Sequence, residues 1–221
     1  MNKCFIPEKY LPGTVAIVTG GFSGIGLALA TEAVKFKCKG VALLDVEKSA
    51  ASNAIQHLSN VDSNVQILTV NCDVTSPDSV NESLSKVKAM WPSTPIGLLC
   101  CNAGVVAQPK RGGSGLGGST GMLDSTLEDW NFTFGVNVYG VINTLKTYGP
   151  VMLQQERVHS CIVNTSSVAG ITTASMGPYS VSKHACAAIT EGLYMEMKNS
   201  GADEYISVHC LCPAVIATKS F

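Results

Sequence analysis

The stretch Val15-Ala-Ile-Val-Thr-Gly-Gly-Phe-Ser-Gly-Ile-Gly-Leu27 decides how the chain is read. A mostly apolar run, Val15 to Thr19, enters a turn holding Gly20, Gly24 and Gly26, and a helical pattern follows from Leu27 to Lys37. Strand, glycine turn and helix in that order let backbone approach a pyrophosphate and aim a helix N-terminus at it. The spacing is G-x-x-x-G-x-G rather than G-x-G-x-x-G, and a plain tight connection would use similar residues. The remainder of the chain has to decide between the two.

Five further β-rich runs follow: Gly40–Asp45, 65–70, Ile96–Cys101, 160–164 and Ile206–Leu211. They alternate with longer helical segments, the pattern of a parallel sheet covered by helices. Polar alternation is missing from them, as expected when both sheet faces are buried. The expected fold is α/β, one domain over residues 1–221, with a doubly wound parallel sheet and a ligand crevice beyond the strands' carboxyl ends. Ser76-Pro-Asp78 supplies a cap and a first-turn proline for one helix. Ser125-x-x-Glu128 reads as a capping box for another, with Leu127, Trp130, Phe134, Val138, Val141 and Leu145 on one face. Gly149-Pro150 should kink or end that helix. The stretch Gly112–Gly121 has six glycines in ten residues, follows no strand, and reads as a surface loop rather than a phosphate cradle.

Composition narrows the class. Only 14% of residues are charged and 46% are hydrophobic, which excludes a disordered chain. A formal charge of −1 gives no electrostatic case for nucleic acid or an anionic membrane. The first residues lack an apolar signal-peptide core, and the longest nearly apolar run, Ile96 to Ala107, is too short for a bilayer. A soluble, cytoplasmic protein is therefore expected. The nine cysteines form no C-x-x-C pair and the four histidines show no metal spacing, so buried free thiols and no metal are expected.

Candidate site residues sit where the strands end. Asp45 closes the second strand 19 residues after Gly26, where a carboxylate accepts ribose hydroxyls and repels a 2′-phosphate. The glycine turn carries no Lys or Arg to pair with that phosphate, so NAD is favoured over NADP. Capping of the following helix is the other use for Asp45. Asp73 follows the third strand, where it either contacts adenine or makes a turn. Asn102-Ala-Gly104 closes the fourth strand and is a candidate lining for the cofactor's central ribose. Tyr179 and Lys183, one helical turn apart, share a helix face. Hydride exchange with a carbinol needs a group that moves the hydroxyl proton, and a phenol serves as base only when nearby positive charge favours phenolate.

As an ordered set, Thr19-Gly-Gly-Phe-Ser-Gly-Ile-Gly26, Asn102-Ala-Gly104, Asn137, Asn164-Thr-Ser-Ser167, Tyr179-Ser-Val-Ser-Lys183 and Pro213-Ala-Val-Ile-Ala-Thr218 resemble the short-chain dehydrogenase/reductase family over essentially the whole chain. Asp45 and Ser182-Lys-His184 resemble its NAD-dependent members, such as prostaglandin dehydrogenases and insect alcohol dehydrogenases. The resemblance implies a Rossmann fold, NAD as cofactor, an alcohol or ketone substrate, and assembly as a homodimer or homotetramer. It implies Tyr179 as acid/base, Lys183 as its pKa-lowering and ribose-binding partner, and Asn137 as holder of a relay water. A serine binds the substrate oxygen: counting from the strand gives Ser167, counting back from Tyr179 gives Ser166, and the strand register favours Ser167. Gly20, Gly24, Ile25, Gly26, Asp45, Asp73, Val74, Asn102, Ala103, Gly104, Tyr179 and Lys183 form the implied cofactor set.

Two departures stand out. The family's Pro-Gly is Pro213-Ala214 here, and the chain stops eight residues past Pro213, where relatives continue through a substrate-covering segment and a last strand. A six-stranded sheet is expected. A non-catalytic NAD-binding protein and an NADPH-linked carbonyl reductase remain the alternatives to an NAD-dependent alcohol dehydrogenase.

Overall fold

The computed structural model describes residues 5–107, 121–155, 157–172 and 177–214. A short helix α1 (Pro7–Tyr10) precedes β1 (Val15–Thr19), α2 (Gly24–Lys35), β2 (Gly40–Asp45), α3 (Ala51–Val61), β3 (Gln66–Asn71) and α4 (Pro77–Met90). Then follow β4 (Ile96–Cys101), α5 (Leu127–Phe134), a π-helical stretch (Gly135–Tyr139), α6 (Gly140–Leu153), β5 (Ser160–Thr165), α7 (Pro178–Ser200) and β6 (Ile206–Leu211). All strand pairings are parallel and the order is β3-β2-β1-β4-β5-β6. This is the doubly wound Rossmann arrangement. The chain passes from β1 outward to β2 and β3, then returns to β4 on the other side of β1. That reversal leaves a crevice beyond the carboxyl ends of β1 and β4.

The uniform apolarity of the strands has a direct cause. Ile17, Leu44, Leu99 and Ile162 pack on one face against Val80 of α4, Val141 and Tyr148 of α6, and Cys186 of α7. Ala16, Val18, Leu43 and Cys100 pack on the other against Ala33 and Val34 of α2 and Leu58 of α3. The central strands β1, β2 and β4 alternate between the two cores, so their side chains are withdrawn from water on both faces. The β1–β4 ladder slips between Val15 and Ala16, skipping Gly97. A Cβ at Gly97 would sit on the Thr14 side chain, so only glycine fits that bulge. Tyr148, fully buried, keeps its phenol oxygen 2.8 Å from the Ser83 hydroxyl.

Several expectations are corrected. The third strand begins at Gln66 and runs to Asn71, not from 65 to 70. The capping box of α5 is Thr126 with Asp129, since the Thr126 hydroxyl accepts the Asp129 N–H at 3.2 Å and the Asp129 carboxylate accepts the Thr126 N–H at 2.8 Å. Ser125 instead accepts the Trp130 indole N–H at 3.0 Å. Leu127, at 81% exposure, opens α5 on the solvent side and does not join the face of the half-buried Trp130 and the buried Val138. Helix α6 passes through Pro150 and stops at Leu153, its last turn held by the buried Tyr148 and Met152. The glycine-rich stretch lies outside the described residues except for Gly121, as does the part of the last motif from 215 to 218. No helix among the described residues is long and apolar enough to cross a membrane.

The capping correction is testable by urea unfolding. Thr126→Ala should cost about 1 kcal/mol, whereas Glu128→Ala should stay within about 0.5 kcal/mol of the native chain.

Candidate active site

The glycine turn is shaped by the backbone it must touch. Gly20 and Gly24 have φ of 62° and 52°, in the left-handed region that favours glycine. A Cβ at Gly26 would collide with the Gly20 carbonyl and stand 2.7 Å from the Asn102 amide nitrogen. The first turn of α2 carries no acidic residue and its N-cap, Ser23, makes no side-chain cap bond. Gly24, Ile25 and Gly26 therefore present the positive end of a helix that its own side chains do not neutralise. Backbone concavity and charge fit an anionic pyrophosphate.

Asp45 reaches this turn. Its carboxylate accepts the Phe22 N–H at 3.0 Å and the Glu47 N–H at 3.1 Å. The turn that follows is capped by Glu47 rather than Asp45, and since two carboxylate oxygens offer about four acceptor sites and backbone occupies two, Asp45 keeps capacity for a further donor. Asp73 turns its carboxylate onto its own loop, accepting the Thr75 N–H at 2.9 Å and the Thr75 hydroxyl at 2.8 Å. Val74 is buried against Gly140, where a Cβ would lie 2.6 Å from its methyl group, and Val74 O accepts Asn143 Nδ2 at 2.9 Å. In this arrangement the Asp73–Val74 pair forms a braced wall above β3.

Asn102 holds the strand ends together. Its Nδ2 donates to Thr19 O at 3.1 Å and Gly20 O at 3.4 Å, and its Oδ1 accepts the Thr165 hydroxyl at 3.2 Å. Thr19, which sequence reasoning quoted but did not place in the site, accepts the N–H groups of Asn102 and Ala103 at 2.9 and 3.1 Å through its hydroxyl. Ala103 comes within 3.0 Å of where a Gly20 Cβ would be. Gly104 borders the chemistry: a Cβ there would stand 3.1 Å from Lys183 Nζ and 3.3 Å from Asn137 Oδ1.

Helix α7 brings Tyr179 and Lys183 to the carboxyl end of β5. Lys183 is 4% exposed, its Nζ donates to Thr165 O at 2.9 Å, and it lies 5.7 Å from the centroid of the Tyr179 ring. Burial holds the Lys183 ammonium below the usual lysine range, offset in part by neighbouring thiols. Burial pushes the Tyr179 phenol above its ordinary value, and a hydrogen bond with the Ser167 side chain acts the other way. Ser167 also accepts the Ala169 N–H at 3.1 Å, capping a short turn. Ser166, by contrast, is turned away from the crevice: its hydroxyl donates to Lys183 O at 2.7 Å and a Cβ on Gly170 would strike it. Of the two serines, only Ser167 stands beside the phenol.

Asn137 lies within the π-helical stretch and is 1% exposed. Its amide accepts Val105 N–H at 2.8 Å and donates to Val105 O and the Ser182 hydroxyl, each at 2.9 Å. Ser182 in turn donates to Tyr179 O at 2.7 Å. Ser182 was missed as a site residue. Its signal was its position three after Tyr179, on the same helix face, where its hydroxyl meets Asn137 Nδ2.

The family model for short chain dehydrogenases matches residues 14–221. The chain belongs to the short-chain dehydrogenase/reductase family. It is 29% identical over 208 residues to the CLA biosynthesis dehydrogenase/reductase of Lactiplantibacillus plantarum, covering 94% of this chain and 66% of that protein. Xanthoxin dehydrogenase of Arabidopsis thaliana is 26% identical, with coverage of 97% and 69%. The crystal structure of a short chain dehydrogenase/reductase from Burkholderia phymatum in complex with NAD superposes with a TM-score of 0.82 at 33% identity, covering 95% of this chain and 68% of that one. This chain thus spans about two thirds of the length of these relatives.

Removing the Asn102 amide unties three strand ends at once. Asn102→Ala should lower unfolding free energy by about 1–3 kcal/mol, read as an earlier urea midpoint with unchanged slope.

Proposed function

We propose that this short-chain dehydrogenase is an oxidoreductase moving hydride between NAD and a secondary alcohol or the matching ketone, with Tyr179 as acid/base. The observation that carries the reading is the convergence of Ser167, Tyr179 and Lys183 beside Gly104, at the carboxyl end of the crevice whose glycine turn fits a pyrophosphate. Bound NAD would supply the hydride acceptor at its nicotinamide ring.

The chain's own residues would then manage the proton. Ser167 orients the substrate oxygen by hydrogen bonding. Tyr179 takes the hydroxyl proton during oxidation or returns it during reduction. Lys183, with one of its three donors on Thr165 O, has two left for ribose hydroxyls, and its charge favours the phenolate. Asn137 positions α7 through Ser182, and the helix backbone around it would help to hold a relay water. Gly20, Gly24, Ile25 and Gly26 would hold the pyrophosphate, Asp45 the adenosine ribose, Asp73 and Val74 the adenine side, and Asn102 to Gly104 the central ribose. The NAD bound in the Burkholderia phymatum structure supports this cofactor, and Asp45 supports NAD over NADP through repulsion of a 2′-phosphate.

The sign of the pH dependence follows from burial. With the phenol above its ordinary value, Tyr179 is protonated at neutral pH in the cofactor-free chain. Alcohol oxidation uses the phenolate, so kcat/KM should rise with pH through that ionisation, while ketone reduction uses the phenol and should fall across the same range.

NADH formation from NAD and a panel of secondary alcohols tests the reading. Tyr179→Phe should lose about 10²–10⁴-fold in turnover while binding NAD within about threefold of the native chain. Equal turnover in that variant would remove Tyr179 as acid/base. NAD binding by calorimetry without turnover on any member of the panel would favour a non-catalytic binder. Asp45→Ser should narrow the preference for NAD over NADP by about tenfold; a native preference for NADPH would establish the carbonyl-reductase alternative instead.

A further inference from the structure

The sequence reading placed all nine cysteines among buried free thiols. Six of the described ones are buried, but Cys210 is exposed and Cys212 is half-buried. Strand β6 ends the described sheet, so one side of it has no neighbouring strand among the described residues. Two residues apart on and just after this strand, Cys210 and Cys212 project the same way, and their sulfurs stand 3.6 Å apart.

This pair is tied to the site. Leu211, between the two cysteines, accepts the Ser166 N–H at 2.8 Å through its carbonyl, and Pro213, just after them, accepts the Val168 N–H at 2.9 Å. Those two bonds bracket Ser167. Both thiols also lie within electrostatic range of Lys183 and of the buried Cys186, one helical turn beyond it on α7.

We propose that Cys210 and Cys212 are a modification site: a dithiol that a peroxide oxidises to an intrachain disulfide, which loosens the Ser166–Val168 segment. One sulfur attacks a peroxide oxygen, the O–O bond breaks, and a sulfenic acid and one water result. The second sulfur displaces the sulfenic oxygen, forming the S–S bond and a second water. The two sulfurs together lose two electrons, the two peroxide oxygens gain them, and the thiol protons leave in the waters.

The mechanical consequence follows from strand geometry. An extended chain advances about 3.3 Å per residue, placing alternate Cα atoms about 6.6 Å apart. Disulfides favour Cα separations of about 5.5–6 Å. Closure therefore shortens the strand across Leu211, whose carbonyl holds the Ser166 N–H. A bond closed under such strain is readily reduced, which makes the modification reversible. Burial and the neighbouring Cys212 push the Cys210 thiol up to about 11, so its thiolate fraction is small at neutral pH and oxidation by peroxide should quicken as pH rises. The effect on turnover rests on the proposed function, whereas the chemistry and the loosening do not.

The test treats the full chain with hydrogen peroxide, removes it with catalase, alkylates with iodoacetamide and maps the tryptic peptide 199–219, which contains no other cysteine. The expected product is that peptide, unalkylated and two hydrogens lighter, restored by dithiothreitol. Amide exchange at Ser166 and Val168 should be about tenfold faster in the oxidised chain. Cys210→Ser and Cys212→Ser should each abolish both changes. Full alkylation after peroxide, sulfinic acid at either position, a crosslink to Cys186, or a disulfide with unchanged exchange would each overturn the proposal. None of these readouts uses hydride transfer, so a failed Tyr179→Phe test and a failed dithiol are told apart.

Discussion

The Asn102 side chain carries the constraint on which the functional end depends. Parallel strands end in a row of carbonyls and N–H groups that the ladder no longer pairs, and a crevice built there must satisfy them some other way. One amide does much of this work, binding Thr19 O and Gly20 O with its nitrogen and the Thr165 hydroxyl with its oxygen. Thr165 then passes the connection on, since its carbonyl receives the Lys183 ammonium. A single hydrogen-bonded line thus runs from the glycine turn, across β1, β4 and β5, to the proposed proton-handling residues. The spacing between the glycine turn and the Tyr179 phenol is set by this line.

Helix α7 is the other half of the arrangement. It is anchored from three sides: Ser166 holds Lys183 O, Asn137 holds Ser182, and Asn164 Nδ2 holds the Thr190 hydroxyl at 3.0 Å. Such redundancy is what a buried ammonium requires, because Lys183 gives up most of its hydration and only fixed partners offset that cost. The π-helical turn at Gly135–Tyr139 serves the same end, setting Asn137 between the Val105 loop and α7 where a regular helix would rotate it away. Rigidity of this kind suits hydride transfer, which tolerates little misplacement of the reacting atoms.

Much of this was legible in the chain. Apolar runs without alternation marked the six strands nearly to the residue, because burial on both faces leaves no polar position to blur their ends. The one-residue offset of β3 arises where that condition weakens: Gln66 and Asn71 at its ends are exposed. The turn glycines were legible because backbone contact excludes any Cβ at Gly26 and positive φ favours glycine at Gly20 and Gly24. The capping box was misplaced by one residue, since Ser125-Thr126 and Glu128-Asp129 offer the same motif twice and only the direction of chain entry selects Thr126. Pro150 does not end α6, which runs on to Leu153 with Tyr148 and Met152 buried on either side of it.

By itself, the sequence determined the family, the strand–turn–helix order and the placing of Tyr179 and Lys183 one helical turn apart, all of which are written in local spacing. Strand register already favoured Ser167 over Ser166, but tertiary structure alone decided that its hydroxyl meets the phenol, that Asn102 joins three strands, and that Cys210 and Cys212 sit at the edge of the described sheet. The physical reason is common to these cases. Each depends on which direction a side chain leaves its strand and what lies across from it, and both are properties of neighbours distant in the chain.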